Sequence, residues 1–156
     1  MKRILTIWAT LGAAYVVFET LFRGYSHPSM FVVGGLCGVL VGTVNQAPRF
    51  YPVIVQSVIG AVIVLAVEFV SGCVLNLWLG LGVWDYSNQP GNVLGQICPA
   101  FGLLWFFIMP LAIWAEDTTR YLIWAYDCAV YHSQEAPPTI APYSLKSVYG
   151  DFICGR

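Results

Sequence analysis

The sequence predicts an all-α, polytopic membrane protein built as a four-helix transmembrane bundle. Hydrophobic residues make up 58% of the 156 residues and charged residues only 10%, whereas a soluble domain carries about 25% charged residues. The apolar residues fall into runs close to the ~20 residues that cross a bilayer core. The basic residues concentrate on one side of these runs, as cytoplasmic loops do. With so few charges, lipid must form part of the solvent around this chain.

The four predicted spans are apolar segments separated by polar or turn-forming residues. They cover approximately residues 4–22, 30–44, 53–79 and 94–115. The third run is long for an upright helix, so it must tilt or extend beyond the bilayer core. Pro99 and Pro110 lie within the fourth span and predict kinks, which neighbouring helices accommodate in a membrane.

The residues after the fourth span mix aromatic and charged side chains, a composition typical of the membrane interface. Residues 118–132 therefore predict a short interfacial helix, or alternatively a continuation of the fourth span. The remaining residues, 133–156, contain Pro137, Pro138 and Pro142 and predict an irregular cytoplasmic tail. A transmembrane domain is accordingly expected over residues 1–132.

The positive charges predict the orientation of the chain. With the N-terminus inside, six basic residues fall on the cytoplasmic side: Lys2, Arg3, Arg49, Arg120, Lys146 and Arg156. Arg23 alone falls outside, which is a clear positive-inside bias. We therefore expect a multi-pass protein of the plasma membrane with both termini in the cytoplasm.

Charge and cysteine usage exclude several classes of function. The net charge of −1 provides no basic patch to bind phosphates, so nucleic acid is not an expected partner. The five cysteines form no C-x-x-C pair, so neither a zinc site nor a redox motif is indicated. No metal and no cofactor are therefore predicted.

Two glutamates inside the predicted spans are the first candidates for function. A carboxylate at the centre of a span costs about 3 kcal/mol even on a lenient scale. Glu19 has Arg23 four residues later on the same helix face, so the two can neutralise each other. Glu68 has no such partner, and it shares its helix face with Gly72 and Asn76. These polar groups either hold helices together or form a functional site.

A polar loop before the fourth span extends this set of candidates. The predicted topology brings that loop, Glu68 and the end of the first span together in the outer half of the bundle. The sequence therefore predicts one binding site for a solute or ion, formed by Glu19, Arg23, Glu68, Asn76, Trp84, Asp85, Tyr86, Ser87, Asn92 and Gln96.

Small residues at four-residue spacing predict close helix packing. Gly34, Gly38 and Gly42 form such a face on the second span, and Gly72 lies on the polar face of the third. Small faces let helix backbones approach each other closely. The second-span face is also a candidate contact between two copies of the chain.

A family resemblance rests on several short elements of the sequence. They are Arg23-Gly24-Tyr25-Ser26-His27, Gly34-Gly35-Leu36-Cys37, Ser71-Gly72-Cys73, Leu75-Asn76-Leu77-Trp78, Val83-Trp84-Asp85-Tyr86-Ser87, Gly95-Gln96-Ile97-Cys98 and Leu104-Trp105-Phe106. Together they resemble the bacterial family of small membrane proteins described as "putative ABC-transporter type IV". Small animal transmembrane proteins with a Trp-Asp-Tyr-Ser element resemble it more distantly. The resemblance implies a permease component, and its pattern falls on the candidate residues named above.

Three functions follow as hypotheses. The first is a permease or solute-binding membrane subunit of a transporter, whose partners would be the bilayer, further copies of the chain and a separate ATPase subunit. That ATPase must be separate because the chain has no G-x-x-x-x-G-K-S/T motif. The second is an accessory membrane protein whose polar residues only hold helices together. An intramembrane lipid-modifying enzyme is the third and least favoured, because no protease or hydrolase motif occurs.

Overall fold

The computed structural model describes residues 2–46, 51–131, 134, 136–138 and 144–154. Within these residues the chain is entirely helical, apart from loops and one isolated bridge between Val93 and Ile97. Its helices are α1 (Lys2–Arg23), α2 (Pro28–Asn45), α3 (Val53–Gly72), α4 (Pro99–Tyr131) and α5 (Leu145–Cys154), and α3 continues as a π-helix over Cys73–Trp78. The predicted all-α fold is confirmed.

Three of these helices are long and apolar enough to cross a membrane: α1, α3 together with its π-helix, and α4. The α2 helix is apolar but shorter, so the fourth crossing stays a prediction. Large apolar side chains cover the outside of the bundle, where Phe22 is 74% and Trp78 80% exposed. An exterior of this kind suits a lipid environment, because exposing apolar side chains to lipid carries no free-energy penalty, unlike exposing them to water.

The α1 and α2 helices form the most closely packed pair in the bundle. A Cβ atom at Gly34 would lie only 2.5 Å from the Cβ of Tyr15, and one at Gly38 would collide with Leu11. Gly42 of the same face packs against Glu116 of α4 instead. The small face of α2 therefore packs within the chain, on α1 and α4. It is not a free surface for a second copy, contrary to the contact considered from the sequence.

The α4 helix begins later than predicted, and at its other end it follows the second of the two predicted alternatives. It begins at Pro99 rather than near residue 94, because the preceding residues belong to the loop, where Leu94 has a positive φ of 54°. It then runs without a break to Tyr131, so residues 118–131 continue the span and form no separate interfacial helix. Arg120 pairs with Glu116 across the expected boundary, which supports the helix there.

The predicted irregular tail contains the helix α5, which is a further correction. Val148 and Phe152 of α5 are buried against Val53 and Phe106 of the bundle. The proline-rich composition of residues 133–156 gave no sign of this helix. The apolar face of α5 is stabilised by contact with α3 and α4, which the local sequence does not reveal. Arg49, Arg156 and most of residues 132–143 lie outside the described residues.

The antiparallel helices give the bundle two distinct ends. One end carries Arg23, Trp78 and Pro99, together with the loop of residues 79–98; we call it the loop end. The other end carries Lys2 and Tyr131, and an ion pair of 2.6 Å between Arg3 and Asp127 joins α1 to α4 there. Nearly all the candidate residues lie at the loop end.

Candidate functional site at the loop end of the bundle

The loop of residues 79–98 folds back into the bundle instead of extending away from it. Trp84 and Gln96 are buried, with 5% and 3% of their surface exposed. The Trp84 indole Nε1 donates a 3.0 Å hydrogen bond to the backbone oxygen of Gln96. The loop therefore closes the end of the bundle with its own side chains.

Asn76, in the π-helix, holds this loop in place. Its Nδ2 donates to Gln96 Oε1 at 2.8 Å and to the Trp84 backbone oxygen at 3.0 Å. Its Oδ1 accepts a 2.7 Å bond from the Val83 amide. The Gln96 Nε2 in turn donates to the Leu94 backbone oxygen at 2.9 Å. The side-chain amides of Asn76 and Gln96 thus form hydrogen bonds with each other and with the loop backbone. This arrangement anchors the loop to the end of α3.

Gly72 makes room for the anchored loop. A Cβ atom at this position would lie 2.5 Å from Gln96 Oε1 and 3.0 Å from the Trp84 ring. Gly72 was predicted to pack against another helix, but the structure places the loop there. Glu68 lies one turn, about 6 Å, earlier on α3. Glu68 therefore lies on the same face of α3 as Gly72.

Asp85, Ser87 and Asn92 shape the outer turn of the loop. Asp85 Oδ1 accepts hydrogen bonds from the Ser87 amide at 2.8 Å and from the Ser87 hydroxyl at 2.5 Å. These bonds hold the pKa of Asp85 below its usual range. Asn92 bonds the backbone of Ser87, Gln89 and Gly95. Of these side chains, Asp85 keeps an exposed, ionised carboxylate.

Glu19 and Arg23 form the ion pair that their spacing predicts. Glu19 is 6% exposed, and its two oxygens accept bonds from Arg23 Nη1 at 2.6 Å and from Ser26 Oγ at 2.5 Å. The Arg23 guanidinium also reaches the Tyr25 hydroxyl at 3.2 Å and the Val83 backbone oxygen at 3.4 Å. The pair therefore neutralises Glu19 and connects α1 to the loop.

Glu68 is the least satisfied acidic residue near this end. Only 4% of its surface is exposed, and its Oε1 accepts a 3.0 Å bond from the Trp105 indole. Its Oε2 is buried and accepts no hydrogen bond from the described residues. An unsatisfied buried oxygen of this kind costs about 1–3 kcal/mol. Such a group is a candidate for protonation or for ligand binding.

A groove of about 340 Å³ opens between α1, α4 and the loop; we call it the loop-end groove. Its walls carry Tyr15, Phe18, Glu19, Phe22, Arg23, Trp84, Asp85, Tyr86, Phe101, Leu104, Trp105 and Ile108. Tyr86 stacks on Phe101 with ring centroids 4.3 Å apart, and burial raises the pKa of its hydroxyl. Trp105 forms part of the groove wall, and its indole donates a hydrogen bond to Glu68. Glu68 therefore lies behind the Trp105 side chain, next to the groove but not in its wall.

The structure thus divides the single predicted site into two groups. Glu19, Arg23, Trp84, Asp85 and Tyr86 line the groove, with Glu68 behind Trp105. The other residues support the loop: Asn76, Ser87, Asn92 and Gln96. The groove residues can meet a solute, whereas the supporting residues bond mainly to protein atoms.

Two features escaped the interpretation of the sequence. The first is the role of Trp105 as the donor to Glu68, which no local pattern indicates because 37 residues separate them. The second is a buried acidic pair at the opposite end, where Glu116 and Asp117 are 1% and 3% exposed. Arg120 binds Glu116 through Nε at 2.9 Å and also through Nη2. The sequence did contain a signal for this pair: two adjacent acidic residues end an apolar run, and an arginine follows four residues after the first of them.

The described residues contain no cluster of three or more histidine, cysteine, aspartate or glutamate side chains that could hold a metal ion. His27 instead caps α2, where its Nδ1 accepts a 3.2 Å bond from the Ser29 amide. The groove wall thus combines the charged groups of Glu19, Arg23 and Asp85 with aromatic rings.

Comparison with known proteins identifies a family. The model of the family described as "Putative ABC-transporter type IV" matches residues 5–130. This match includes every residue of the loop-end groove and most of the four long helices, so the chain belongs to that family. The resemblance deduced from the sequence is confirmed, although the likeness to animal proteins stays a prediction. No curated protein and no solved structure gives a match.

Proposed function

We propose that this member of the "Putative ABC-transporter type IV" family is a membrane subunit of a transporter that binds its solute in the loop-end groove. In this proposal the loop end faces outward, because the basic residues favour cytoplasmic termini. The groove then opens toward the source of the solute. Glu68 serves as the proton or cation site behind it.

The observation that carries the proposal is the environment of Glu68. Its Oε2 has no hydrogen-bond partner among the described residues, although the side chain is almost fully buried. Glu19, the other buried carboxylate of the loop end, has a donor for each oxygen. Glu116 Oε2 is also unsatisfied among the described residues, but it lies at the opposite end, away from the groove. A site that exchanges a proton or cation needs an oxygen that is not permanently occupied.

The proposal requires partners. The chain contains no phosphate-binding loop motif, so ATP hydrolysis would need a separate subunit. A bundle this small has little room for a wide path, so a second copy would help to form one. Because the small face of α2 already packs on α1, that second copy would use another face of the bundle.

Ligand-dependent thermal stability tests the proposal. Purified protein in lipid nanodiscs would be heated with panels of hydrophilic and amphiphilic solutes of either charge. A ligand that binds the folded state raises its apparent stability, by about 2.7 kcal/mol at one hundred times Kd. We expect one solute class to stabilise the wild-type protein and to lose that effect in Glu68→Gln.

The matched control is Ser71→Ala, on the same helix. Among the described residues, the Ser71 hydroxyl bonds the preceding turn of α3, to the Val67 backbone oxygen at 2.6 Å and to that of Glu68 at 3.2 Å. This variant should therefore respond to the solute as the wild type does. An unchanged response in folded Glu68→Gln would remove Glu68 from the site, and the absence of any stabilising solute would contradict the proposal itself.

One observation favours an accessory role as the second candidate. The amides of Asn76 and Gln96 bond each other and the loop backbone, which is a structural arrangement. If these polar residues serve only to hold the bundle, Asn76→Ala should lower the melting temperature and no solute should raise it. Stabilisation of the wild type by any solute would exclude this candidate.

A further inference from the structure

A second cavity adjoins the loop-end groove. Its volume is about 320 Å³, and its walls come from all four long helices. They include Leu11, Cys37, Val41, Val64, Met109 and Ala112. The wall is almost wholly apolar, and we call this space the central cavity.

The groove and the central cavity share part of their walls. Tyr15, Phe18, Trp105 and Ile108 line both spaces. Tyr15 and Trp105 stack on each other there, with ring centroids 5.9 Å apart and planes 24° apart. A solute in the groove therefore has apolar space beyond these two rings, where a hydrophilic solute would lose its hydration.

The charges at the mouth of the groove favour a positive head group. Glu19 and Arg23 cancel each other through their ion pair. Asp85 remains as a further carboxylate in the groove wall, and its exposure lets it accept additional donors. The wall also carries Trp84 and Tyr86, and aromatic faces attract cations within about 6 Å. An anionic head group would meet the extra negative charge.

We propose that the ligand of this site is an amphiphilic organic cation, whose head lies beside Asp85 and the aromatic wall and whose apolar body enters the central cavity. This inference rests on the proposed transport function and specifies its solute class. The groove and the adjoining cavity, which share the Tyr15 and Trp105 rings in their walls, offer one polar and one apolar space to the two parts of such a molecule. A small hydrophilic ion would leave the central cavity unused.

Three probe ions separate the contributions of charge and apolar body. Tetraphenylphosphonium is an apolar cation, tetraphenylborate has the same body with a negative charge, and tetramethylammonium is a cation with almost no body. Each would be equilibrated by dialysis with protein in zwitterionic nanodiscs, with empty nanodiscs as the blank. At equal free concentration, we expect saturable binding and a raised melting temperature with tetraphenylphosphonium alone.

Two variants that remove the same charge test the position of the head group. Asp85→Asn should weaken tetraphenylphosphonium binding by about fivefold, as expected for a solvent-exposed charge interaction. Asp127→Asn is the matched control, because Asp127 pairs with Arg3 at the opposite end of the bundle. Its affinity should equal that of the wild type. Equal affinities in all three proteins would overturn the assigned head-group position.

A native thiol reports whether the body enters the central cavity. Cys37 lines that cavity, whereas Cys154 is exposed on α5. Tetraphenylphosphonium should slow the reaction of N-ethylmaleimide with Cys37 and leave the reaction of Cys154 unchanged. This measurement requires no substitution, so a variant that fails to fold cannot obscure it. An unprotected Cys37 at saturating probe would overturn the inference.

The remaining outcomes distinguish this inference from the proposed function. Equal binding of tetraphenylborate, or binding of tetramethylammonium as strong as that of tetraphenylphosphonium, would overturn the amphiphilic cation. Stabilisation by a hydrophilic solute without any effect of tetraphenylphosphonium would overturn it too, while leaving the transport proposal in place. If no solute of any class binds, both proposals are wrong.

Discussion

At the scale of single residues, the local partners of Glu19 and Glu68 give two similar carboxylates different roles. Both are buried, with 6% and 4% of their surface exposed. Glu19 has a donor for each oxygen, whereas Glu68 has one donor and one unsatisfied oxygen. Both oxygens of Glu19 are therefore committed to protein donors, whereas one oxygen of Glu68 is left to accept a proton or a ligand.

The Glu19–Arg23 pair should show strong energetic coupling. Arg23→Ala leaves a buried carboxylate without its cation, so we expect a loss of about 1–3 kcal/mol in the free energy of unfolding. The lower part of that range is favoured because the Arg23 side chain is 36% exposed. In the Glu19→Gln background the same substitution should cost clearly less. Denaturation of all four proteins in detergent measures this, and additive losses would argue against coupling.

The turn around Asp85 should depend on pH. Because two bonds from Ser87 lower the pKa of Asp85 in the folded loop, its stabilising contribution is present above the unfolded pKa of about 3.9. The contribution is lost as the pH falls through the lowered folded value. The difference in tryptophan emission between the wild type and Trp84→Phe, followed between pH 7 and pH 2, reports on the turn, because the chain has six tryptophans.

Two variants identify the titrating group. Ser87→Ala removes the hydroxyl bond and should move the acid transition of the loop to higher pH. Asp85→Asn should abolish that component of the transition. An identical acid midpoint in the wild type and in Ser87→Ala would show that another carboxyl group controls the fluorescence change.

At the scale of elements, the π-helix and Gly72 let a polar loop fold back onto the end of a membrane helix. The π-helix directs Asn76 toward Trp84 and Gln96, and Gly72 leaves space for both side chains. π-helical segments are rare and occur frequently at functional sites. Here the segment positions the loop that forms one wall of the groove.

Gly72→Ala should displace this loop. The new Cβ would lie 2.5 Å from Gln96 Oε1, so the loop must shift and its bonds to Asn76 weaken. We expect a loss of about 1–3 kcal/mol, as for overpacking of a well-packed site. Thermal unfolding measures the loss, and the emission difference between proteins with Trp84 and with Trp84→Phe measures the shift.

Gly150→Ala is the matched control for this substitution. Gly150 lies within α5, and a Cβ atom there would meet nothing within 4 Å. The change should stabilise the protein slightly, because alanine favours helix over glycine by about 0.5–1 kcal/mol. A similar loss of stability in both variants would indicate a general effect of the added methyl group and not a displaced loop.

At the scale of the whole molecule, an apolar exterior surrounds polar groups near both ends of the bundle. The loop end has Glu19, Glu68 and the loop, whereas the other end has the buried Glu116 and Asp117. The α4 helix, about 50 Å long at 1.5 Å per residue, passes both groups. This length exceeds a bilayer core of about 30 Å, so α4 must tilt or extend beyond it.

The predicted topology is tested by thiol labelling on intact cells. The thiol introduced by Asn88→Cys lies in the exposed part of the loop, and the native Cys154 is exposed near the C-terminus. With both termini inside, a membrane-impermeant maleimide should label position 88 in intact cells. It should label Cys154 only after permeabilisation. Labelling of Cys154 before permeabilisation would contradict the predicted orientation of α4.

Local patterns predicted much of the fold and part of the site. Apolar runs of about 20 residues indicate membrane helices because each helix satisfies its own backbone and needs only a lipid-compatible surface. The Glu19–Arg23 pair follows from a four-residue spacing for a similarly local reason. The helix α5 was missed, because Val148 and Phe152 are buried only against other helices.

The sequence by itself determined the class of the protein, the long apolar helices and the polar residues that deserve testing. Only the tertiary structure decided which of those residues face a groove and which hold the loop. The physical reason is the range of the contacts: Asn76 meets Gln96 across 20 residues, and Trp105 meets Glu68 across 37. Periodicity within a helix carries no information about such pairs, because they form only when the helices and the loop pack together.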